Sequence, residues 1–332
     1  MSQLRRDPIT GRWIIINTEK SVAPDKFDYV ERPVKKGAKG CPFCPGNERM
    51  TPPEIIAHRR VGESNSPGWW IRVVPNKYPA LEIEGELAKE GIGVFDKING
   101  IGAHEVIIDS PDHFTELSDV DDKQAEEVIW AYLGRSIDLR RDKRFKYILV
   151  FRNYGMAAGA SLEHPHSQLI ALPIVPKRVN EEIKSSSEYF EYKERCVFCD
   201  LLRQEMEDKE RIICENKHFF CFAPFVSRFP YEMWIIPKKH SSDFSLLEKE
   251  EVRPLGVILR DALHKLKVAL NDPPYNFIIH TSPINGHERE DYHWHIEIMP
   301  KLVQVAGFEW GSGFYINPVA PEEVSKNLFG IE

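Results

Sequence analysis

Cys41-Pro42-Phe43-Cys44 and Cys196-Val197-Phe198-Cys199 are one short phrase written twice, and the residues downstream of each copy repeat as well. Val74-Pro75-Asn76-Lys77-Tyr78-Pro79-Ala80 comes after the first and Cys214-Glu215-Asn216-Lys217-His218-Phe219-Phe220 after the second, each opening an alternating segment. Next, His104-Glu105-Val106-Ile107-Ile108-Asp109-Ser110-Pro111-Asp112-His113 aligns without a gap on Tyr231-Glu232-Met233-Trp234-Ile235-Ile236-Pro237-Lys238-Lys239-His240. Both read as a β-branched strand ending at Pro and His. A helix signal comes next: Ser118 ahead of Ala125, Val128, Ile129, Tyr132 and Leu133, and Ser245 ahead of Val252, Leu255, Leu259, Ala262, Leu263 and Leu266. That spacing makes one apolar face. A further strand closes each half (Tyr147–Phe151; Tyr275–His280), then a loop, then a His-x-His strand: His164-Pro165-His166-Ser167-Gln168-Leu169-Ile170 or His293-Trp294-His295-Ile296-Glu297-Ile298.

Runs of strands with one long helix per half predict an α+β fold of two tandem halves, each a mostly antiparallel sheet with its helix on one face. The halves are placed at 1–175 and 190–332. Between them 173–195, with Lys184-Ser185-Ser186-Ser187-Glu188, is charged and apolar-poor and reads as a linker.

The chain has 332 residues, enough for a real core without staples. Hydrophobic residues make up 42% and charged residues 29%, which excludes disordered and fibrous classes. No run reaches the roughly 18 uncharged apolar residues of a membrane span, and the opening Met1-Ser2-Gln3-Leu4-Arg5-Arg6-Asp7-Pro8 lacks an export signal's apolar core. A cytoplasmic location is expected. Lys+Arg 44 against Asp+Glu 51 leaves −7, with no basic run longer than Arg140–Arg144, so nucleic acid is not an expected partner.

Paired thiols without an export signal suggest metal rather than disulfides. Two cysteines three apart can chelate one ion from a tight turn, and tetrahedral zinc then needs two more ligands. Each half offers two histidines at matched positions. Cys41, Cys44, His113 and His164 are assigned to one site, and Cys196, Cys199, His240 and His293 to the other. Cys214 and Cys221 read as buried small hydrophobes.

Strand alternation would point His164 and His166 to one face. With His164 held by metal, His166 stands beside it in a fixed setting, and a neutral imidazole is a competent nucleophile toward phosphorus. The small-residue loop Asn153-Tyr154-Gly155-Met156-Ala157-Ala158-Gly159-Ala160-Ser161 could bring backbone N–H groups and the Ser161 hydroxyl to a phosphate. The second half has Glu297 where the first has Gln168, and a bulkier loop, Pro283–Glu288. One half therefore reads as catalytic and the other as degenerate.

With these residues in place the chain resembles the galactose-1-phosphate uridylyltransferase family, built from two tandem histidine-triad motifs. The resemblance rests on Asp7-Pro8-Ile9-Thr10-Gly11-Arg12-Trp13, Cys41–Asn47, Ser110–His113, Asn153–Ser161 and His164-Pro165-His166-Ser167-Gln168. It implies that His166 takes a nucleoside monophosphate from a nucleotide sugar as a covalent adduct. Gln168 would bond the phosphoryl oxygen, Ser161 and Gly159 would grip the leaving phosphate, and Asn76 and Asn153 would line the nucleotide and phosphates. A hexose 1-phosphate then attacks, so that UDP-glucose and galactose 1-phosphate give glucose 1-phosphate and UDP-galactose. It further implies two structural zinc ions and a homodimer. Thr18–Lys26 lacks the arginines the family often has there, and Gly307–Asn317 does not match its galactose-reading segment. Together with the second thiolate set, this leans toward the ADP-glucose phosphorylase-like branch, where free phosphate is the acceptor; a dinucleoside polyphosphate is another donor for the same histidine. A non-enzymatic alternative is a silent double-zinc nucleotide-binding module. The resemblance also offers the second metal a rival ligand set, Glu182, His280, His293 and His295, competing for one location through His293.

Overall fold

Alternation along 166–172 sends Ser167, Leu169 and Ala171 to one face of a strand and His166, Gln168 and Ile170 to the other. The structure, a computed structural model, describes residues 2–27, 30–33, 37–284 and 287–331. Its strands are β1 (Ser2–Arg6), β2 (Trp13–Asn17), β3 (Ile56–Arg59), β4 (Trp69–Pro75), β5 (Glu90–Ile92), β6 (Phe95–Lys97), β7 (Ala103–Ile108), β8 (Tyr147–Tyr154), β9 (His166–Leu172), β10 (Ile212–Glu215), β11 (Phe219–Phe222), β12 (Met233–Pro237), β13 (Tyr275–His280), β14 (His295–Pro300) and β15 (Tyr315–Asn317). The helices are α1 (Asp122–Leu139), α2 (Lys177–Lys193), α3 (Val197–Asp208), α4 (Lys249–Leu270), α5 (Gly307–Ser312) and α6 (Pro321–Leu328).

One 10-stranded sheet runs β10-β11-β12-β14-β13-β8-β9-β7-β4-β3, every neighbouring pair antiparallel. From each end inward the order is the same: β3-β4-β7-β9-β8 mirrors β10-β11-β12-β14-β13. The two copies join through β8 and β13, where Asn153 lies opposite Asn276. The α+β fold and the repeat are thus both in the topology, with one correction to the ungapped alignment. Val106 pairs with Gln168, and Trp234 pairs with Glu297. Val106 therefore corresponds to Trp234 and not to Met233. Sheet register fixes partners within the strands, so the one-residue slip is absorbed in the loop leading to His113 or His240.

The helices α1 and α4 cover one face. Ile107, Val150, Leu169, Phe277, Ile279 and Ile298 from the sheet pack against Val128, Ile129, Tyr132, Leu255, Leu259 and Leu263 in one buried cluster. Each such side chain contributes about 1.5–3 kcal/mol of burial. A Cβ at Gly256 would lie 2.6 Å from the Ala125 carbonyl oxygen, so only glycine allows this close crossing of α4 on α1. The helix N-caps lie three residues beyond Ser118 and Ser245: Asp121 accepts from Gln124 N–H at 2.8 Å, and Glu248 N–H donates to Glu251 at 3.0 Å.

The segment expected to be a linker is mostly α2, whose buried Val179, Glu182 and Ser186 face the second half. The N-terminal arm also packs there. β2 pairs with β15 in parallel, Arg5 bonds Glu322 at 2.8 Å, and Ile9 joins a cluster with Phe198, Trp234 and Tyr292. Cys214 and Cys221 lie directly opposite each other across β10 and β11, Cys221 buried and Cys214 half-buried. No helix among the described residues is long and apolar enough to cross a membrane.

Candidate functional site

The face away from α1 and α4 carries the chemistry. At its first metal-competent corner, the ligand atoms of Cys41, Cys44, His113 and His164 all lie within 4.8 Å of one another. Cys44 Sγ is 3.4 Å from His113 Nδ1 and 3.5 Å from His164 Nδ1. His164 Nε2 donates to the Ser110 carbonyl at 2.8 Å, a backing bond that orients a ligating imidazole. The second half repeats this. Cys199 Sγ is 3.3 Å from His240 Nδ1, and His240 Nε2 donates to the Arg289 carbonyl at 3.0 Å. Two sulfurs and two nitrogens converging at these distances fit a tetrahedral borderline-soft cation such as zinc. In the first group burial, and then the neighbouring Cys41, push the Cys44 thiol up to about 11; a cation removes that penalty by taking the thiolates.

The rival carboxylate set does not share His293 as expected. Glu182, His280 and His295 form a separate group, while His293 belongs to the thiolate group. His280 is held between Glu182 at 3.1 Å and Glu297 at 3.3 Å. Burial opposes its charge, but the two carboxylates outweigh burial and raise it to about 10.

His164 ends the loop before β9, and His166 opens the strand. Nδ1 of His166 is 2.8 Å from the His164 carbonyl oxygen. A carbonyl only accepts, so Nδ1 carries the proton and Nε2 keeps its lone pair. Burial lowers this imidazole to about 4, which keeps it neutral at pH 7. Phe43, from between the two thiols, sets its ring 5.3 Å from that of His166.

Gln168 lies two residues along β9 from His166, Asn76 stands next to His104, and Asn153 is on β8; each of these three amides has its oxygen occupied. Gln168 Oε1 accepts from His104 Nε2 at 2.8 Å, because His104 Nδ1 accepts from Ala80 N–H at 3.1 Å and so places its proton on Nε2. Asn153 Oδ1 accepts from Asn276 Nδ2 at 2.8 Å, and Asn76 Oδ1 from Tyr78 N–H at 2.9 Å. What Gln168 and Asn153 retain is the –NH2 end, whereas Asn76 Nδ2 is turned to His104 Nε2 at 3.1 Å; two free amide donors near His166 favour an anion.

A cavity of about 330 Å³ opens on His166, lined by Asn153, Ser161, Glu163, Glu31 and Arg32 among others. Gly155 and Gly159 take φ of 82° and 89° at the two ends of the short turn in this loop, positive values that favour glycine. The structure thus gathers His166, Asn153 and Ser161 on one cavity, with Gly159 in its loop, and sets Gln168 and Asn76 beside His104. Sequence reasoning missed His104, Asn276, Phe43 and Arg32. His104 headed the repeated strand and Phe43 sat inside the repeated C-x-x-C, so both carried a signal. Asn276 carried none, because its pairing with β8 crosses the halves.

In the second half the equivalent of His166 is closed in. His295 stacks on Trp234 at 4.7 Å and on His280 at 4.9 Å. Glu297 is bonded by Arg228 at 2.7 Å and Arg178 at 3.2 Å. Burial opposes its charge, but Arg228 and His280 hold it well below the usual carboxylate range.

A duplicated antiparallel sheet with a His-x-His strand in each half is the architecture of histidine-triad nucleotidyltransferases. The chain belongs to the galactose-1-phosphate uridylyltransferase family, which here includes ADP-glucose phosphorylase. It is 41% identical to ADP-glucose phosphorylase of Arabidopsis thaliana over 98% of this chain and 91% of that one. With galactose-1-phosphate uridylyltransferase of Thermotoga maritima it shares 33% identity over 99% and 98%. Among solved structures, the Arabidopsis thaliana ADP-glucose phosphorylase with bound ADP-glucose superposes with a TM-score of 0.83 at 38% identity, covering all of both chains. Residues 82–330 also match the family described as "Domain of unknown function (DUF4921)". The protein is an enzyme of nucleotidyl transfer.

Proposed function

We propose that His166 carries a nucleoside monophosphate between a nucleotide sugar and a phosphate acceptor. In the first step His166 Nε2 attacks the α-phosphorus of the donor, an N–P bond forms, the P–O bond to the sugar phosphate breaks, and sugar 1-phosphate leaves. In the second, an acceptor phosphate oxygen attacks the same phosphorus and the N–P bond breaks, a ping-pong course. The Nδ1–H bond to the His164 carbonyl keeps Nε2 available in both steps. The –NH2 groups of Gln168 and Asn153 meet the non-bridging oxygens as their charge grows. Ser161 and the Gly159 backbone hold the leaving phosphate, and Asn76 binds the nucleotide. Arg32, which lines this cavity as the buried, ion-paired Arg152 also does, is the cation for the outer phosphate, a position the Thr18–Lys26 segment left open. The two thiolate–imidazole groups each hold a structural zinc, anchoring the His166 strand through His164, and the chain acts as a homodimer.

The observation carrying this reading is the bare Nε2 of a neutral, buried His166 amid amides whose oxygens are already taken. The donor and acceptor are UDP-glucose with galactose 1-phosphate, or ADP-glucose with inorganic phosphate. The second pair is favoured by the 41% identity to ADP-glucose phosphorylase across nearly the whole chain. Assaying both pairs with the parent and His166→Asn tests the reading: one pair turns over in the parent and neither in the variant.

A further inference from the structure

The repeat gives the second half a cavity of its own. Over β12 and β14 a cavity of about 480 Å³ is walled by the turn Asp7–Arg12, by α3 and by Trp234. The turn is built, since Gly11 N–H bonds the Asp7 carbonyl at 2.9 Å and the Asp7 carboxylate accepts from Ile9 N–H and the Thr10 hydroxyl. It is a motif that the catalytic reading leaves without a role. Sheet register matches the cavity floor to the catalytic half: His295 stands for His166, Glu297 for Gln168 and Trp234 for Val106. His295 Nδ1 even repeats the bond to the carbonyl two residues back, at 3.1 Å.

We propose that this cavity is a second, non-catalytic site that binds an uncharged nucleoside. Arg228 Nη1 and His295 Nε2 are buried on its wall with no hydrogen-bond partner among the described residues, His295 being also a member of the Glu182, His280 and His295 group. Buried polar atoms are rarely left so, and a ligand offering an acceptor to Arg228 and a polar edge to His295 satisfies both. Glu297 fills the phosphate position with a carboxylate already bonded to Arg228 and Arg178, so a phosphate meets fixed negative charge there. Around the cavity eight carboxylates, Asp200, Asp208 and Glu210 among them, outnumber the four arginines Arg12, Arg178, Arg211 and Arg228, so its wall is net negative. Beside its charged residues the wall has an apolar and aromatic stretch, including Ile9, Val197, Leu201, Phe225 and Trp234, which suits the flat faces of a base. Only the identity of the phosphate position rests on the proposed role of Gln168.

Equilibrium dialysis of the full, metal-loaded chain against labelled adenosine and uridine tests this. Leu201→Trp and Gln204→Trp each fill the cavity from α3, and the parent is expected to bind one equivalent of nucleoside per chain more than either. Adenosine 5′-monophosphate is expected to fill that equivalent at least roughly tenfold less tightly, as like charge disfavours a partner. Covalent labelling of His166 should be the same in parent and variants. Its absence with the extra equivalent retained would fault the catalytic reading alone. Equal nucleoside stoichiometry in parent and both variants, no nucleoside bound at all, or monophosphate binding equal to adenosine overturns the proposal.

Discussion

Gln168 presents its amide –NH2 outward because its oxygen is held by His104 Nε2 at 2.8 Å. The orientation of one side chain is thus set by another. An amide aimed at a developing phosphoryl charge lowers the barrier by roughly 2–4 kcal/mol, so Gln168→Ala should cost on the order of 10²-fold in nucleotidylation rate. Gln168→Glu should be slower still. His104→Ala loses the orienting bond, together with the contacts of His104 to Ala80 N–H and Asn76 Nδ2. At about 1–1.5 kcal/mol it should cost roughly fivefold to tenfold, so rapid-quench kinetics should find His104→Ala the fastest of the three, Gln168→Ala next and Gln168→Glu the slowest.

On the proposed roles, metal and chemistry divide between His164, at the end of the loop, and His166, at the start of β9. Cys41→Ser and His113→Ala should lose zinc and stability together, since structural zinc contributes folding energy directly. His166→Asn should keep both zinc equivalents and the parental melting temperature while losing transfer. Metal analysis beside calorimetry checks this, and zinc lost from His166→Asn would exchange the roles of His164 and His166.

The acid limb of the pH profile should lie low. Burial holds His166 at about 4 against an ordinary value near 6.5, so nucleotidylation should stay level from pH 7 to 5 and fall only near about 4. For stability, this depressed pKa means the unfolded chain takes up the proton first, and stability is lost as pH falls from 6.5 toward 4. His280, raised to about 10 by Glu182 and Glu297 against the pull of burial, acts in the other direction. Its contribution is complete below pH 6.5 and is lost as pH rises toward about 10. Urea midpoints across pH 4–10 read both limbs, the second against His280→Gln.

Helix packing makes its own prediction. Alanine is ordinarily the better helix residue, yet at Gly256 its Cβ would meet the Ala125 backbone at 2.6 Å. Overpacking costs about 1–3 kcal/mol, more than the roughly 0.5–1 kcal/mol of propensity gained, so Gly256→Ala should lower the urea midpoint.

The repeat, the fold class and the thiolate–histidine groupings could be read from spacing, because each is a pattern local to one half and written twice. The chain could not reveal what depends on register between strands. Trp234 in place of Val106, Asn276 holding Asn153, and the separation of His293 from Glu182, His280 and His295 all arise from pairings or side-chain directions that spacing does not encode. Residues 173–195 looked like a linker because their apolar residues are few, yet Val179, Glu182 and Ser186 suffice to dock one face of α2. The second-half loop at Pro283–Glu288 includes residues 285–286, outside the described residues.

Intact-mass analysis with peptide mapping, after separate incubation with UDP-glucose and ADP-glucose, tests the central claim most directly. One of the two donors should leave a single nucleoside monophosphate per chain, on His166. Glu297→Gln should leave that stoichiometry at one, since His295 remains stacked between Trp234 and His280. No adduct from either donor, an adduct on a residue other than His166, or two per chain in Glu297→Gln would contradict the account.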